Sequence, residues 1–160
     1  MLNSAKELID LLHSLNLTIS TAESCTGGLV ASSIVDVSGS SAVFNEGYIT
    51  YSNEAKERIL GVKQETLLQF GAVSAETARE MAEGVRRISG SDVSVSTTGI
   101  AGPTGGTEEK PVGLVYICVS YQSICHVKEL RLNGDRTSNR VNTVEEVMQL
   151  VLDVLMTFCN

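Results

Sequence analysis

The segment Thr21-Ala22-Glu23-Ser24-Cys25-Thr26-Gly27-Gly28 lies between a short apolar run at residues 17–20 and a helical pattern at about residues 26–37. Ser24 is therefore predicted on a sharp turn from a strand into a helix. Small residues surround this serine, and the free N–H groups of a helix start lie beside it. That arrangement suits a nucleophile or an anion-binding site. A plain helix N-cap, at Ser24 or Thr26, is the alternative.

Cys25 is a second candidate nucleophile in this segment, because a thiolate is intrinsically a better nucleophile than a hydroxyl group. No residue close to Cys25 in the sequence is an obvious base for it. The other cysteines are Cys118, Cys125 and Cys159, and the sequence contains no Cys-x-x-Cys pair. We expect all four cysteines to be reduced thiols.

A second glycine-rich stretch, Gly99-Ile100-Ala101-Gly102-Pro103-Thr104-Gly105-Gly106, follows a predicted strand at residues 92–98. Its glycines allow the backbone to approach a ligand closely. Neither a Gly-Lys-Ser/Thr sequence nor an apolar helix follows it, which excludes a P-loop and a dinucleotide-binding fingerprint. A mobile connection is the alternative. Two such loops after strands indicate a small-molecule site.

The remaining pattern alternates between helical and strand periodicity and predicts one domain over residues 1–160. Helices are predicted at about residues 4–14, 26–37, 54–60, 64–70, 75–89 and 135–158. Strands are predicted at residues 18–21, 43–51, 92–98, 112–121 and 124–132, the last two as a hairpin. This order predicts an α/β fold, a three-layer α/β/α sandwich with a mixed sheet of about five strands. Ligands of such folds bind at the carboxyl ends of strands.

Composition excludes several classes of protein. The net charge of −7, with no cluster of basic residues, argues against a nucleic-acid partner. No run approaches the ~18 apolar residues of a membrane span. The N-terminal 16 residues form an amphipathic helical pattern and not a signal peptide, so we expect a cytoplasmic protein with no membrane partner.

Lys56 lies in the first turn of the helix predicted at residues 54–60, where the helix dipole favours an anion. That position lowers a lysine pKa, and burial lowers it further. A lysine that acts as a general base near pH 7 needs a shift of roughly 3 units, or about 4–5 kcal/mol. A helix end supplies at most ~2 kcal/mol, so burial or a nearby cation must supply the rest. The alternative is a solvated lysine paired with Glu54 or Glu57.

Arg136 and Arg140 lie four residues apart at the start of the last predicted helix, on one face. Guanidinium groups in this position are suited to hold a phosphate or a carboxylate. A local ion pair between Arg136 and Asp135 is the alternative.

Taken together, these residues resemble the CinA C-terminal domain family, whose stand-alone members include nicotinamide-nucleotide amidases. The resemblance spans nearly the whole sequence in order, and as a set its motifs are highly specific. The matching stretches are TAESCTGG at residues 21–28, GYITYSNEAK at 47–56, GAVS at 71–74, GIAGPTGGTEEKPVG at 99–113 and GDR at 134–136. Asn139 departs from the family pattern, in which this position is usually apolar. The N-terminal nucleotide-processing domain of longer relatives is not expected here.

The resemblance implies hydrolysis of nicotinamide mononucleotide to nicotinate mononucleotide and ammonia, with no metal or other cofactor. It implies Ser24 as the nucleophile, Lys56 as the base and Tyr51 as a hydroxyl group that assists the proton relay. The backbone N–H groups expected to stabilise the oxyanion belong to Cys25, Thr26, Gly27 and Gly28. The groups expected to hold the phosphate and ribose belong to Gly99, Ala101, Gly102, Gly105, Arg136 and Arg140.

The expected partner is therefore a small nucleotide, and the resemblance also implies a homodimer. The rival hypothesis is a non-catalytic nucleotide-sensing or partner-binding domain that keeps the pocket. Ser24, Tyr51 and Lys56 together argue against that hypothesis, because a binding domain has no need of a base.

Overall fold

A five-stranded mixed sheet forms the middle layer of the protein. The computed structural model describes residues 3–159. The strands are β1 (Ile19–Glu23), β2 (Phe44–Ile49), β3 (Val93–Gly99), β4 (Leu114–Tyr121) and β5 (Ile124–Arg131). Their order in the sheet is β2-β1-β3-β4-β5. The strand β1 pairs in parallel with β2 and β3, whereas β3 with β4 and β4 with β5 are antiparallel. The carboxyl ends of β1, β2 and β3 therefore meet at one edge.

Helices cover both faces of this sheet. They are α1 (Asn3–Leu15), α2 (Leu29–Val35), α3 (Asn53–Leu60), α4 (Gln64–Phe70), α5 (Ala75–Ser89) and α6 (Arg136–Phe158). On one face α1, α2 and α6 pack together, and on the other α3 and α4 pack against α5. The predicted three-layer α/β/α sandwich with a five-stranded mixed sheet is confirmed. No helix within residues 3–159 is both long and apolar enough to cross a membrane.

The strand β3 shows how the second helical layer is held. Its valines alternate with serines, which is typical of a strand with one solvated face. In the structure both faces are buried. The hydroxyl groups of Ser94 and Ser96 donate to the carbonyl oxygens of Ala82 and Ala78 in α5. Small hydroxyl side chains therefore let this helix lie close to the sheet while their own polar groups remain satisfied.

The helix α2 is shorter than its sequence pattern predicts. The pattern indicates residues 26–37, but the regular helix begins at Leu29. Gly27 and Gly28 adopt φ angles of +58° and +98°, which an α-helix does not contain. The residue at the N-cap position is Gly28, so the predicted N-cap at Ser24 or Thr26 is wrong. The chain between β1 and α2 is instead a glycine-dependent turn with Ser24 at its start.

Candidate active site

The predicted site residues of the 21–28 segment lie at the carboxyl edge of the parallel strands. Ser24 follows the last residue of β1, and its N–H donates to the carbonyl oxygen of Thr97 in β3. Ser24 is 9% exposed. The backbone thereby fixes this hydroxyl group at the end of the sheet, close to the point where β1, β2 and β3 all end.

Lys56 reaches Ser24 from the helix α3. The hydroxyl group of Ser52 caps this helix by accepting from the N–H of Ala55, which places Lys56 in the first turn. The Nζ atom of Lys56 lies 3.0 Å from Ser24 Oγ, 2.7 Å from the Thr50 carbonyl oxygen and 3.2 Å from that of Tyr51. The side chain is only 1% exposed. The alternative of a solvated lysine paired with Glu54 or Glu57 is therefore wrong.

Burial lowers the pKa of Lys56 to about 8, against the smaller opposing effect of the Cys25 charge. Within residues 3–159 no carboxylate forms an ion pair with Lys56 that would hold it charged. A neutral amine has two N–H groups and one lone pair. The two carbonyl oxygens of Thr50 and Tyr51 can accept both N–H groups, which leaves the lone pair for the Ser24 hydroxyl proton. The arrangement is suited to a general base.

Cys25 is not equivalent to Ser24 in this site. Burial, opposed in part by a hydrogen bond from its own backbone N–H, raises the pKa of its thiol to about 11. The reactive thiolate form is therefore scarce at neutral pH. Within residues 3–159, Ser24 is the candidate nucleophile that is in contact with Lys56.

Glu23 holds the turn that carries Ser24, and the sequence did not single it out. Its side chain is 1% exposed. Its carboxylate accepts from the Thr26 hydroxyl group at 2.6 Å and from the N–H groups of Gly28, Val30 and Ala31 at 2.8–3.0 Å. The start of α2 is thus occupied by the protein's own anion and cannot hold a substrate phosphate. The available signal was an acidic residue just before a glycine pair that opens a helix, since a carboxylate suits that position.

The structure also narrows the expected oxyanion donors. The N–H of Gly27 donates to the Ser24 carbonyl oxygen, and that of Gly28 donates to Glu23. Among residues 3–159 no acceptor contacts the backbone N–H of Thr26, and no other residue accepts from that of Cys25. These two groups follow the nucleophile directly and are the donors that the turn leaves unused. Cys25 lines a cavity, whereas Thr26 is 0% exposed, so the Cys25 N–H is the better placed for a developing oxyanion.

Arg136 and Arg140 have different partners, although they lie on one face of α6. Arg140 donates through Nε to the Cys25 carbonyl oxygen at 3.1 Å and through Nη2 to that of Thr26 at 2.8 Å. It therefore holds the turn that carries Ser24, and the expected contact of Arg140 with substrate is not what the geometry favours. A carbonyl oxygen that accepts from a cation also makes the N–H of the same peptide group a stronger donor.

Arg136 lies at the 99–106 loop instead. Its Nη1 donates to the Gly102 carbonyl oxygen at 2.8 Å, and its Nη2 lies 3.4 Å from the Tyr51 hydroxyl group. The alternative of an ion pair with Asp135 is wrong, because the Asp135 carboxylate caps α6 by accepting from the N–H of Ser138. Arg136 is thus the arginine that faces the candidate binding region.

Tyr51 is placed differently from its expected role. Its hydroxyl group contacts Arg136, and its side chain is 62% exposed. Lys56 donates a hydrogen bond to the carbonyl oxygen of Tyr51 and not to its hydroxyl group. The structure therefore does not bring the Tyr51 hydroxyl group into the Ser24–Lys56 pair, and a proton relay through it has no geometric support.

A cavity of about 220 Å³ lies beside the Ser24 turn and is lined by the 99–106 loop. Its walls include six of the predicted binding residues and Tyr51: Cys25, Tyr51, Gly99, Ala101, Gly102, Gly105 and Arg136. An adjoining cavity of about 510 Å³ shares Ala101 and Arg136 with it. The two glycine-rich loops therefore come together at one site, as expected from their positions after strands.

Asn139 anchors the start of this loop to α6. Its side-chain amide is buried and donates to the carbonyl oxygens of Ala101 and Gly134, and its amide oxygen accepts from the Gly134 N–H. Asn139 therefore supplies hydrogen bonds between the loop and the helix that bears Arg136. The alternative of a mobile connection is therefore not supported at Ala101, which Asn139 holds. Within residues 3–159 no three His, Cys, Asp or Glu side chains come together to hold a metal ion.

Comparison with known proteins shows which proteins this chain is similar to. A CinA-like protein from Kosmotoga olearia is 62% identical over 133 residues, which are 83% of this chain and 32% of that protein. The chain spans about a third of the length of the curated relatives it matches.

Two crystal structures share the fold over almost the whole of both chains. The competence/damage inducible protein CihA from Agrobacterium tumefaciens is 42% identical, with a TM-score of 0.91 and 96% of each chain covered. A CinA superfamily protein from Klebsiella pneumoniae is 29% identical, with a TM-score of 0.94 and 97% of each chain covered. The model of the CinA C-terminal domain matches residues 2–155, and the chain belongs to that family.

Proposed function

We propose that this domain is an amidohydrolase that converts nicotinamide mononucleotide to nicotinate mononucleotide and ammonia through a Ser24 acyl-enzyme. The observation that carries the proposal is the 3.0 Å contact between Ser24 Oγ and a buried lysine whose pKa is lowered to about 8. A buried lysine without a carboxylate partner weakens a fold, because the charged form is poorly solvated. Its position against the serine that precedes Cys25, a residue of the cavity wall, fits a catalytic purpose better than a structural one.

The proposed reaction begins with neutral Lys56. Its Nζ takes the proton of Ser24 as Oγ attacks the carbonyl carbon of the substrate amide. The N–H groups of Cys25 and Thr26 stabilise the oxyanion. Protonated Lys56 then returns the proton to the amide nitrogen, the C–N bond breaks, and ammonia leaves an ester on Ser24. Lys56 next takes a proton from water as the water oxygen attacks the ester carbonyl carbon. It returns this proton to Ser24 Oγ as the ester C–O bond breaks, which releases nicotinate mononucleotide and restores Ser24 and neutral Lys56.

The substrate is proposed to lie along the 99–106 loop. Arg136 supplies the cation that a phosphate requires in a protein with a net charge of −7. The glycines of the loop allow the backbone to approach the ribose and phosphate. Tyr51, exposed at the wall of the cavity, can cover the pyridinium ring, whose positive charge is attracted to an aromatic face.

Ammonia release from nicotinamide mononucleotide, nicotinamide riboside and nicotinamide tests the activity and its dependence on phosphate together. Ser24→Ala and Lys56→Ala are each expected to abolish release while the circular dichroism spectrum stays native. Lys63→Ala is the matched control, because it removes the same charge from an exposed position. Full activity in Lys56→Ala would exclude the serine–lysine mechanism. Calorimetric binding of the mononucleotide without ammonia release would instead support the non-catalytic nucleotide-sensing domain.

A further inference from the structure

A third cavity, of about 520 Å³, lies at the edge of the sheet opposite to Ser24. Its walls come from the end of α5, from the segment before β3 and from the turn between β4 and β5. The strands β1 and β3 begin at this edge and end at the other, so the cavity is separate from the proposed amidase site. None of the residues assigned to that site lines it.

Two cysteines meet at this cavity. Cys118 in β4 pairs with Val127, and Cys125 in β5 pairs with Ser120, so the cysteines are diagonal neighbours on the face that α5 covers. Their Sγ atoms lie 3.1 Å apart. Cys125 is half-buried and lines the cavity, whereas Cys118 lies behind it with 1% exposure. One thiol can therefore meet a ligand, and the second contacts the first from inside the protein.

The two thiols differ in how easily they ionise. The hydrogen bond from the Cys118 thiol lowers the pKa of Cys125. The same hydrogen bond, together with burial, raises the pKa of Cys118. Arg79 and Glu83 also act on this pair, with opposite signs. The first thiolate therefore forms on the cysteine that faces the cavity, as a nucleophile for an incoming reagent requires.

The charge of the cavity indicates which reagent it accepts. Arg86 and Arg87 both line it, and Glu83 is the one acidic side chain in its walls. Through Nη1, Arg86 donates to the Ser120 hydroxyl group and to the Gln122 carbonyl oxygen. Arg87 donates through Nη2 to the Leu60 carbonyl oxygen. The remaining guanidinium N–H groups are without acceptors in residues 3–159. The walls thus carry a net positive charge in an acidic protein, which favours a ligand that bears carboxylates.

We propose that this cavity binds a small disulfide that carries carboxylate groups, and that Cys125 and Cys118 reduce it by thiol–disulfide exchange. The Cys125 thiolate attacks one sulfur of the small disulfide, which forms a mixed disulfide and releases one small thiolate. Cys118 then gives up its proton and attacks Cys125 Sγ, which forms the Cys118–Cys125 bond and releases the second small thiolate. Two protein thiols are oxidised, one disulfide is reduced to two thiols, and the two cysteine protons end on those thiols.

Incubation of the folded, reduced protein with oxidised glutathione, followed by peptide mapping, tests the proposal. The expected product is a Cys118–Cys125 linkage with the intact mass lower by two hydrogen atoms and two molecules of reduced glutathione released. Cys118→Ala is expected to stop at a glutathione adduct on Cys125, and Cys125→Ser to leave residue 118 reduced. If Cys118→Ala fails to fold, the adduct trapped by rapid acid quenching of the unmodified protein answers the same question. The proposal is overturned if both cysteines stay reduced, or if only Cys159 reacts.

The ligand class is tested by comparing disulfides of different charge. Oxidised glutathione is anionic, bis(2-hydroxyethyl) disulfide is neutral and cystamine is cationic. Electrostatic attraction by the cavity predicts that Arg86→Ala slows the anionic reagent about tenfold more than it slows the neutral reagent. Arg131→Ala is the matched control, because it removes the same charge from the far end of β5. Equal rates for all three reagents would show that the cavity does not select anions.

Discussion

At the scale of single residues, the decisive feature is a lysine that the fold holds in an unfavourable place. Lys56 is buried at a helix start and is hydrogen-bonded to three oxygen atoms, and no anion among residues 3–159 is paired with it. Burial is the first cause of its lowered pKa. In the proposed mechanism, the same desolvation that weakens the fold makes the amine available as a base, which would couple stability and chemistry at this one side chain.

The lowered pKa of Lys56 predicts a pH dependence of the activity. The activity, as kcat/KM, is expected to rise with pH through about 8, because only neutral Lys56 can accept the Ser24 proton. The measurement is the pH profile of ammonia release under conditions where the mononucleotide itself does not titrate. A profile that falls over this range would contradict a base role for Lys56.

The stability of the fold gives an independent check on the same group. The Lys56 pKa is about 8 in the folded protein against 10.5 in the unfolded chain. The unfolded state therefore binds more protons between these pH values, and stability rises with pH there. Relative to Lys56→Met, the free energy of unfolding of the wild-type protein should increase by roughly 3 kcal/mol between pH 7 and 10.5. Urea titrations at several pH values measure this, and the subtraction removes other groups. A constant difference would mean that Lys56 is not desolvated.

Substitutions of the two arginines of α6 are expected to have different kinetic effects. Arg136→Ala should raise KM for nicotinamide mononucleotide and affect the riboside much less, because Arg136 faces the cavity. Arg140→Ala should lower kcat for both substrates by about 10–100-fold, because the turn that carries the oxyanion donors loses its support. Arg140→Lys restores part of kcat if the charge on the carbonyl oxygens matters. If Arg140→Ala raised KM and left kcat unchanged, Arg140 would instead be a substrate ligand.

At the scale of elements, the helix α2 depends on a charge from the strand before it. This helix has no side-chain cap at its N-cap residue, and the Glu23 carboxylate accepts from three of the N–H groups at its start. The turn between β1 and α2 is consequently held by two side chains. Glu23 accepts from its N–H groups, and Arg140 donates to its carbonyl oxygens. A rigid turn presents Ser24 in one position.

Glu23→Gln is predicted to be severely destabilising, although it changes the shape of the side chain very little. The amide keeps the shape of the carboxylate but turns an NH2 group toward N–H donors and removes the charge. Loss of about 2–4 kcal/mol of unfolding free energy is expected from the unsatisfied buried donors. Thermal and urea unfolding measure it, with Glu7→Gln on the exposed side of α1 as the matched control. Equal stability of the two variants would show that the Glu23 contacts are dispensable.

At the scale of the whole molecule, the sheet separates two regions of polar side chains. The carboxyl edge of β1, β2 and β3 holds the Ser24–Lys56 pair, and the opposite edge holds the Cys118–Cys125 pair. Because each pair sits at its own edge, oxidation of the cysteines is not expected to alter the contact between Ser24 and Lys56.

The homodimer implied by the family resemblance remains a prediction at this scale. Exposed apolar side chains lie on several elements, including Ile49 beside the site, Leu68 in α4 and Phe158 in α6. Sedimentation equilibrium is expected to give twice the mass of one chain. The mass of a single chain across the accessible concentration range would make the monomer the functional unit.

Much of the architecture was predictable from local patterns. Ser52 and Ser74 mark the starts of α3 and α5 with hydroxyl groups that accept from backbone N–H groups. Glycines with positive φ angles mark the ends of α3, α4 and α5. The bounds of α4 and α5 agree with the sequence prediction. The pattern failed at α2, where a carboxylate from β1 and two glycines replace the usual cap.

The sequence by itself determined the alternation of strands and helices, the two glycine-rich loops and the candidate residues Ser24, Lys56 and Arg136. These follow from periodicity, caps and residue chemistry, which act over a few neighbouring positions. Only the tertiary structure decided that Lys56 is buried against Ser24, that Arg140 holds a turn and that Glu23 fills the anion position of α2. Each of these depends on burial or on a contact between distant segments, and the dielectric environment that sets a pKa exists only once the chain has folded around the group.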